Sequence, residues 1–309
     1  MRRILNVFGA LLVGFVLGFA LLVGVCVALN SRTPAPTDLS HSEQLSHPPA
    51  PLREPVTLKI VTFNIWDLYA LSTRRAERMA LIGETLVGLN PDIVGFQEAW
   101  VEADRAIILK RLEEIGLVNS QYFRSGLVGS GLLVASRYPI AEAFFHRYTQ
   151  GGIPYRVDHG DWWAGKGVCV ARIALPNDVG YLDFFDTHTH AQYGLTLYDS
   201  IRLSQAQELA AFINKAATGT SPAIAVGDFN TKADQEQYKT LVETAKLKRV
   251  MKMESRIDHV FAVESPRYRF EVVDTVQIGV DDRKERIRSG MSDHPGYMTT
   301  VRIVPAGTL

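Results

Sequence analysis

Acidic, amide and histidine side chains recur at the ends of apolar runs along this 309-residue sequence. They stand where a buried strand would give way to a loop, and loops at strand ends often carry catalytic groups. The set comprises Asn64, Glu98, His188, Asp228, Asn230, Asp258, Asp293 and His294. Each residue alone also fits a turn, a cap or a strand end, so only the whole set indicates a site.

The residue types of this set predict a particular chemistry. Carboxylate and amide oxygens without thiolates are the ligands of a hard divalent cation such as Mg²⁺. Asp293 next to His294 suits a general base that works near neutral pH. Asp258 is a second carboxylate that can receive the imidazole N–H and fix its tautomer. A metal and an oriented histidine base together favour attack of water on a phosphate ester.

Short apolar runs rich in β-branched residues predict the strands that position these groups. The predicted strands cover residues 58–64, 93–97, 131–136, 167–173, 181–187, 223–226, 256–263 and 297–304. Apolar residues at helical spacing predict amphipathic helices over 73–89 and 203–217, the first ending at Asn90-Pro91. Strands and helices intermix without a repeat, so we expect one α/β domain over residues 56–309.

The N-terminal residues have a different character. Residues 4–29 carry no charge, and at about 1.5 Å per residue they are long enough to cross a bilayer. Arg2 and Arg3 precede this run, as is typical of a cytoplasmic flank. We therefore expect residues 1–29 to form a single-pass signal anchor, with the N-terminus cytoplasmic and the catalytic domain outside. Secretion after signal cleavage is the alternative, although Cys26-Val27-Ala28 is a poor cleavage sequence.

Residues 30–55 hold six of the fourteen prolines and predict a Pro-rich linker. The domain that follows carries 29 basic and 30 acidic residues, which gives no overall basic surface for nucleic acid. The exception is a run that contains Arg283, Lys284, Arg286 and Arg288. Most such runs are solvated surface, so we do not expect a nucleic-acid partner.

The motifs TFNIW, FQEAW, THTH, GDFN, RIDHVF and SDHPG resemble, in order, those of the endonuclease/exonuclease/phosphatase superfamily. The resemblance extends over residues 56–304 and implies a two-sheet α-β-β-α sandwich, here preceded by one N-terminal transmembrane helix. Residues 64–79, 122–140, 159–168 and 187–209 further resemble the neutral sphingomyelinase branch. Substrate choice varies within such branches, so the resemblance specifies the fold more firmly than the substrate.

The resemblance also implies a metal site and a loop device. Glu98 matches the metal-binding glutamate, with Asn64 supporting the metal and phosphate and Asp293 near the metal. The expected ion is Mg²⁺, with Mn²⁺ as the alternative. Asp161 and Lys166 match an acid–lysine pair of the sphingomyelinase branch that is associated with switching the active-site loop.

The remaining matched residues carry the hydrolytic roles that the resemblance implies. His294 matches the general base, and Asp258 matches the acid that orients it. Asp228 and Asn230 match the pair that positions the attacking water and the phosphate. His188 matches the histidine that contacts the phosphate.

Together these features predict a metal-dependent phosphodiesterase of phospholipase C type. Its expected substrate is sphingomyelin or a related phospholipid at a membrane surface, and its products are ceramide or diacylglycerol and phosphocholine. A nuclease or another phosphoesterase of the superfamily is the alternative, but the neutral domain lacks the cationic surface on which nuclease affinity depends. An inactive binding module is a third reading, which the intact set of polar positions disfavours.

Overall fold

The structure of the protein is a computed structural model that describes residues 2–31, 50–69, 71–156, 158–194, 196–279 and 290–307. The α-helices over these residues are α1 Arg2–Asn30, α2 Arg75–Leu89, α3 Glu102–Glu113, α4 Asp161–Ala164, α5 Asp199–Ala216 and α6 Glu236–Thr244. The strands are β1 Val56–Asn64, β2 Ile93–Gln97, β3 Asn119–Tyr122, β4 Leu133–Ser136, β5 Ile140–Arg147, β6 Gly167–Ala174, β7 Tyr181–His188, β8 Ala223–Asp228, β9 Leu247–Arg249, β10 Asp258–Val263, β11 Tyr268–Ile278 and β12 Gly296–Pro305.

These strands form two six-stranded sheets. The first has the order β11-β12-β1-β2-β4-β3, and the second has the order β5-β6-β7-β8-β10-β9. Each sheet has one parallel pair near its centre, β1 with β2 and β7 with β8, and its other pairs are antiparallel. The predicted mixture of strands and helices is therefore confirmed as a mixed two-sheet α/β sandwich.

Three apolar layers hold the sandwich together. On β1, Ile60 lies in the core between the two sheets, whereas Phe63 packs in the layer beneath α2 and α3. On the other side, Leu209 of α5 and Leu241 of α6 pack on the second sheet. This alternation follows from the two-residue period of a strand, and it produces the four layers of an α-β-β-α architecture.

The inward-facing positions become polar toward one end of the sandwich. On β8, Ile224 and Val226 belong to the inter-sheet core, and the next residue on that face is Asp228. On β1, the same face ends in Thr62 and Asn64, both buried. We call this the polar end: the C-terminal ends of β1, β2, β7 and β8 lie there with the start of β10, where Asp258 pairs with Asp228.

The N-terminal segment forms the long helix α1. It is the one helix in the described part of the chain that is long and apolar enough to span a membrane, over Val7–Asn30. The predicted anchor ended at residue 29, but the helix extends through Asn30, which is buried against the domain. Residues 32–49 of the predicted linker and the basic run from Arg283 to Arg288 lie outside the described residues.

Candidate active site

A histidine and two aspartates meet at the polar end. His294 precedes β12, and its Nδ1 lies 3.0 Å and 3.2 Å from the two carboxylate oxygens of Asp258 at the start of β10. Its other nitrogen, Nε2, lies 3.7 Å from Asp228 Oδ2. A carboxylate at Nδ1 favours the tautomer whose Nε2 carries no proton and can therefore accept one. The arrangement therefore fits a general base with its orienting acid.

The Asn64 side chain joins two carboxylates of the site. Its Nδ2 donates to Glu98 Oε1 and to Asp228 Oδ2, each at 3.0 Å. Its Oδ1 accepts the backbone N–H of Trp66 at 3.1 Å, which fixes the orientation of the amide. Glu98 follows β2 with a φ of 57°, a left-handed conformation that non-glycine residues adopt at a cost. The backbone thus turns sharply where it presents this glutamate.

The electrostatics of the two linked carboxyl groups differ. Burial, followed by the charge of Asp293, raises the pKa of Glu98 to about 7, with Lys166 acting in the opposite direction. Burial would also raise the pKa of Asp228, but its interactions with the basic side chains beside it, His294 foremost, lower it to about 2. Asp228 is therefore the firmly ionised member, whereas Glu98 is held in an environment that disfavours its negative charge.

The surroundings of Glu98 fit a divalent cation. Its Oε1 is bonded to Asn64, but its Oε2 is buried with no hydrogen-bond partner. Leaving a carboxylate oxygen buried and unpaired is costly, and a bound cation would remove that cost. Mg²⁺ takes one or two carboxylates and keeps several waters, so Glu98 and the nearby Asp293 could hold it. Asn64, predicted to support the metal, turns its Nδ2 toward Glu98 and so supports that carboxylate instead of ligating the ion.

His188, the last residue of β7, reaches the same cluster. Its Nε2 lies 3.5 Å from Asp228 Oδ2 and 3.9 Å from Glu98 Oε1. Lys166 Nζ lies 2.9 Å from that same nitrogen. An ammonium group can only donate, so Nε2 accepts and the imidazole is neutral. Burial, followed by the charge of Lys166, accordingly lowers the pKa of His188 to about 3.

Asp161 and Lys166 form an ion pair at the edge of the site. Both residues are buried, and Lys166 also donates to the backbone carbonyl of Thr189 at 3.0 Å. Burial would raise the pKa of Asp161, but the charge of Lys166 lowers it. The hydroxyl of Tyr193 donates to the same carboxylate. The predicted pair thus meets, and its lysine lies against a site histidine.

Backbone contacts place the last two predicted residues. Asn230, at a φ of 45°, donates its backbone N–H to Asp228 Oδ1 at 2.9 Å and its Nδ2 to the Thr189 carbonyl at 3.0 Å. Asp293 lies between His294 and Ser292, whose hydroxyl donates to the Asn64 carbonyl at 2.6 Å. All ten side chains predicted from the sequence therefore lie around the polar end.

Arg78, which the sequence reasoning missed, holds two loops of this site together by hydrogen bonds. Arg78 lies on α2, is 1% exposed, and donates to the carbonyls of Ile65, Trp66 and Met291 at 2.9, 2.8 and 2.7 Å. These contacts join the segment after Asn64 to the segment before Asp293. The available signal was a charged residue on the buried face of a predicted helix, four residues before a core position at 82.

The sequence of this chain is similar to known proteins over the same residues. Residues 61–294, which contain all ten site residues, match the sequence model of the Endonuclease/Exonuclease/phosphatase family. Sphingomyelin phosphodiesterase 2 of Mus musculus is 38% identical over 175 residues, 56% of this chain and 41% of the relative. The inositol phosphosphingolipids phospholipase C of Schizosaccharomyces pombe is 37% identical over 175 residues, with the same two shares. The chain thus spans less than half the length of these two relatives.

Among solved structures, a variant of beta toxin from Staphylococcus aureus with bound magnesium ions is similar in fold. The TM-score is 0.61 at 18% identity, over 79% of this chain and 99% of that chain. An identity this low supports the architecture and leaves the activity to be argued from the residues themselves.

Proposed function

Because the chain belongs to the endonuclease/exonuclease/phosphatase family, we propose that residues 56–309 form a metal-dependent phosphodiesterase of phospholipase C type. Its substrate is sphingomyelin or a related phospholipid, and its products are ceramide or diacylglycerol and phosphocholine. The observation that carries the proposal is the Asp258–His294 pair facing Asp228, beside the unpartnered Glu98 Oε2. A base for water and a place for a cation thereby lie next to one another.

In the proposed reaction, His294 Nε2 removes a proton from a water molecule, and the water attacks phosphorus opposite the leaving lipid oxygen. Asp258 keeps Nδ1 protonated and stabilises the imidazolium that forms. Asp228 and Asn230 position the attacking water and the phosphate, and His188 contacts the phosphate. A divalent cation bound at Glu98, Mg²⁺ in this proposal, would supply positive charge to the phosphate and the leaving oxygen.

The Lys166 ammonium adds fixed positive charge beside His188. Its three N–H groups are taken by Asp161, His188 and the Thr189 carbonyl, so the ammonium acts through its charge, which stabilises the negative charge that develops on phosphate oxygens during attack. Asp161 holds the ammonium in place through the ion pair. The ammonium is held beside His188 only while the pair is formed. Breaking the pair would withdraw its charge from the site, and this is the role of a loop switch that we assign to it.

The proposal includes a membrane location. Helix α1 anchors the protein as a single span, the linker over 30–55 connects it to the domain, and the two arginines at the N-terminus favour a cytoplasmic N-terminus with the domain outside. Secretion after cleavage of α1 is the alternative. In either case the substrate is presented by a lipid surface, and in the anchored form the span raises its effective concentration.

We expect the protein over residues 1–309 with Mg²⁺ to release phosphocholine from sphingomyelin faster than it nicks plasmid DNA. The domain carries 29 basic and 30 acidic residues, so it has no excess of positive charge to neutralise the phosphates of DNA. The assay compares sphingomyelin, phosphatidylcholine, an inositol phosphosphingolipid and supercoiled plasmid at equal enzyme. The His294→Ala protein is the blank for contaminating activity. Plasmid nicking that exceeds lipid cleavage would favour the nuclease alternative instead.

The Lys166→Met variant should lose about 10²-fold in kcat, the effect of removing one preorganised charge donor. It should also unfold more easily, because Asp161 is then a buried carboxylate without its cation. The Asp161→Asn/Lys166→Met double variant removes both charges, and we expect it to regain thermal stability while kcat stays low. Thermal melts and steady-state kinetics on the same preparations make the test. Recovery of kcat in the double variant would show that the pair is only structural.

A further inference from the structure

Exposed apolar side chains of the domain concentrate at the polar end. Six of the eight large hydrophobic side chains that are exposed in its described residues lie there, in segments that connect the strands: Tyr69, Leu71, Leu127, Tyr155, Tyr193 and Leu197. The other two, Val118 and Val273, lie elsewhere, Val118 immediately before β3 at the opposite end. Scattered apolar residues are normal on a surface, but a rim of them around one mouth indicates contact with an apolar partner.

Helix α1 docks at this same end. Most of its described side chains are exposed, and burial begins only in the last two turns, at Cys26 and Val27. Asn30, its last residue, is 0% exposed. The helix therefore stands away from the domain along most of its length and touches it with its C-terminal end alone.

The contact is made by polar groups of Asn30. Its Nδ2 donates to the carbonyl of Trp162 at 2.9 Å, and its Oδ1 accepts the N–H of Leu127 at 2.8 Å. Its backbone carbonyl accepts a hydrogen bond from Arg147 at the end of β5. A Cβ at position 126 would lie 2.5 Å from Asn30 Oδ1, so Gly126 leaves the space that the amide occupies. One side chain thereby bridges the loop between β3 and β4 and the short helix α4, both at the polar end.

Chain connectivity does not place the helix there. The chain enters the domain at the opposite end, where Leu52 is buried, its N–H donates to Tyr268 Oη at 3.0 Å, and β1 then begins at Val56. A helix held only by its linker could rest near that entry point instead. Docking at the polar end therefore depends on the contacts of Asn30.

From these observations we infer that Asn30 orients the domain so that the polar end and its apolar rim lie against the lipid surface from which α1 emerges. The occupant of the rim is the bilayer, because the bilayer-spanning helix ends on the same face. The inference rests on the proposed function and adds to it which face meets the substrate and which residue sets that orientation. It holds for either direction of insertion, since both place the C-terminal end of α1 at a membrane surface.

The test measures orientation without activity. The protein over residues 1–309, in phosphatidylcholine vesicles containing EDTA, carries a bimane label at Leu71→Cys or at Val118→Cys, both in a Cys26→Ser background. Cys169 is buried and stays unlabelled. Quenching by spin-labelled lipid should be several-fold stronger at position 71 than at position 118. Leu71 does not lie on the loops that contact Asn30, so its quenching reports orientation and not mere proximity to the anchor.

Asn30→Ala should bring the ratio of quenching at the two positions several-fold closer to one. Ser31→Ala is the matched control, because its hydroxyl donates to Val27 within α1, and it should leave the ratio unchanged. Equal quenching at the two positions in the parent protein, or no effect of Asn30→Ala, overturns the inference.

An activity measurement separates this inference from the proposed function. With Mg²⁺ present, Asn30→Ala should slow hydrolysis of sphingomyelin in vesicles several-fold and leave hydrolysis of a soluble nitrophenyl phosphodiester unchanged. An equal loss on both substrates would show that Asn30 supports the fold of the site, and it would overturn the orienting role. If the parent protein cleaves neither substrate, the proposed function fails, whereas the quenching ratio still decides the orientation.

Discussion

The His294→Ala variant should show a kcat about 10²–10⁴-fold below that of the parent protein, the usual effect of losing a general base. His294 Nε2 faces Asp228 across 3.7 Å, while Nδ1 is held by Asp258, so the described site offers this imidazole as the oriented acceptor for a proton. Its side chain belongs to none of the three apolar clusters of the core, so the fold should persist. Phosphocholine release at saturating lipid and Mg²⁺ gives kcat, and a thermal melt checks folding.

A double-mutant cycle with Asp258→Asn tests the assigned roles. Asp258 acts through His294, so removing both should cost little more than removing His294 alone. His146→Ala is a histidine control, since His146 lies on β5 and pairs with Glu208 at 2.7 Å, away from the proposed base. A kcat near the parent value for His294→Ala would contradict the mechanism. Additive losses in the cycle would show that Asp258 has a separate role.

The central strands were predictable because burial constrains their sequence strongly. Residues 58–64, 93–97 and 181–187 were predicted as strands, and the structure has Val56–Asn64, Ile93–Gln97 and Tyr181–His188. Each is covered on both faces, so apolar β-branched and aromatic residues persist along the run until the polar end interrupts them. The change from apolar to polar residues therefore marked both the strand ends and the site.

The elements that were not predicted have weaker patterns. In α3, the apolar residues 107–109 are consecutive instead of helically spaced, although only Ile108 and Leu112 of this helix enter the core. Strand β11 is an edge strand whose exposed and half-buried residues mix along its length, and its register shifts between Val272 and Asp274. Packing against a neighbouring helix or strand decides both elements, and such packing is not encoded in local spacing.

The site residues also divide into those that local sequence predicts and those that depend on long-range contacts. Its ten predicted residues were accessible because short motifs keep them in sequence beside recognisable strands. Arg78 and Asn30 were missed because their roles depend on contacts with residues far along the chain, 213 positions away for Met291 and 132 for Trp162. Nothing in the local sequence of a helix end or a helix face specifies such partners. Only the fold brings them together.

The second large effect is expected for Glu98→Gln, which keeps the size of the side chain and the acceptor for Asn64 but removes the charge. The loss of an outer-shell partner alone typically weakens metal binding by about 10–100-fold, so loss of the proposed ligand should weaken Mg²⁺ binding by more than about 10²-fold. The Mg²⁺ concentration that gives half-maximal activity should rise by the same factor. A thermal melt needs no turnover, and there the Mg²⁺ concentration required to raise the melting temperature should increase as well.

The same substitution should have the opposite effect on stability when EDTA removes divalent ions. The pKa of Glu98 lies at about 7 in the folded protein, above its ordinary value of 4.5, because of burial and the charge of Asp293. The folded state then holds a proton that the unfolded state releases, so stability falls as pH rises from about 4.5 to 7 and stays low above that window. Above pH 7, Glu98→Gln should therefore be more stable than the parent protein, by about 3 kcal/mol at most. Below about pH 4.5 the two should converge.

The order of the melting temperatures of the parent and Glu98→Gln proteins should therefore reverse between Mg²⁺ and EDTA. Neither a purely structural nor a purely catalytic role of Glu98 would produce this reversal. With Mg²⁺ the parent protein should melt at the higher temperature, and with EDTA at pH 8 the Glu98→Gln variant should. Glu102→Gln is the matched control, because Glu102 is an exposed glutamate in the first turn of α3, and it should alter neither melt. Equal Mg²⁺ stabilisation of the parent and Glu98→Gln proteins would place the cation elsewhere in the cluster. Asp228, Asp258 and His294, whose ligand atoms lie within 4.8 Å of one another, would then be the next group to test.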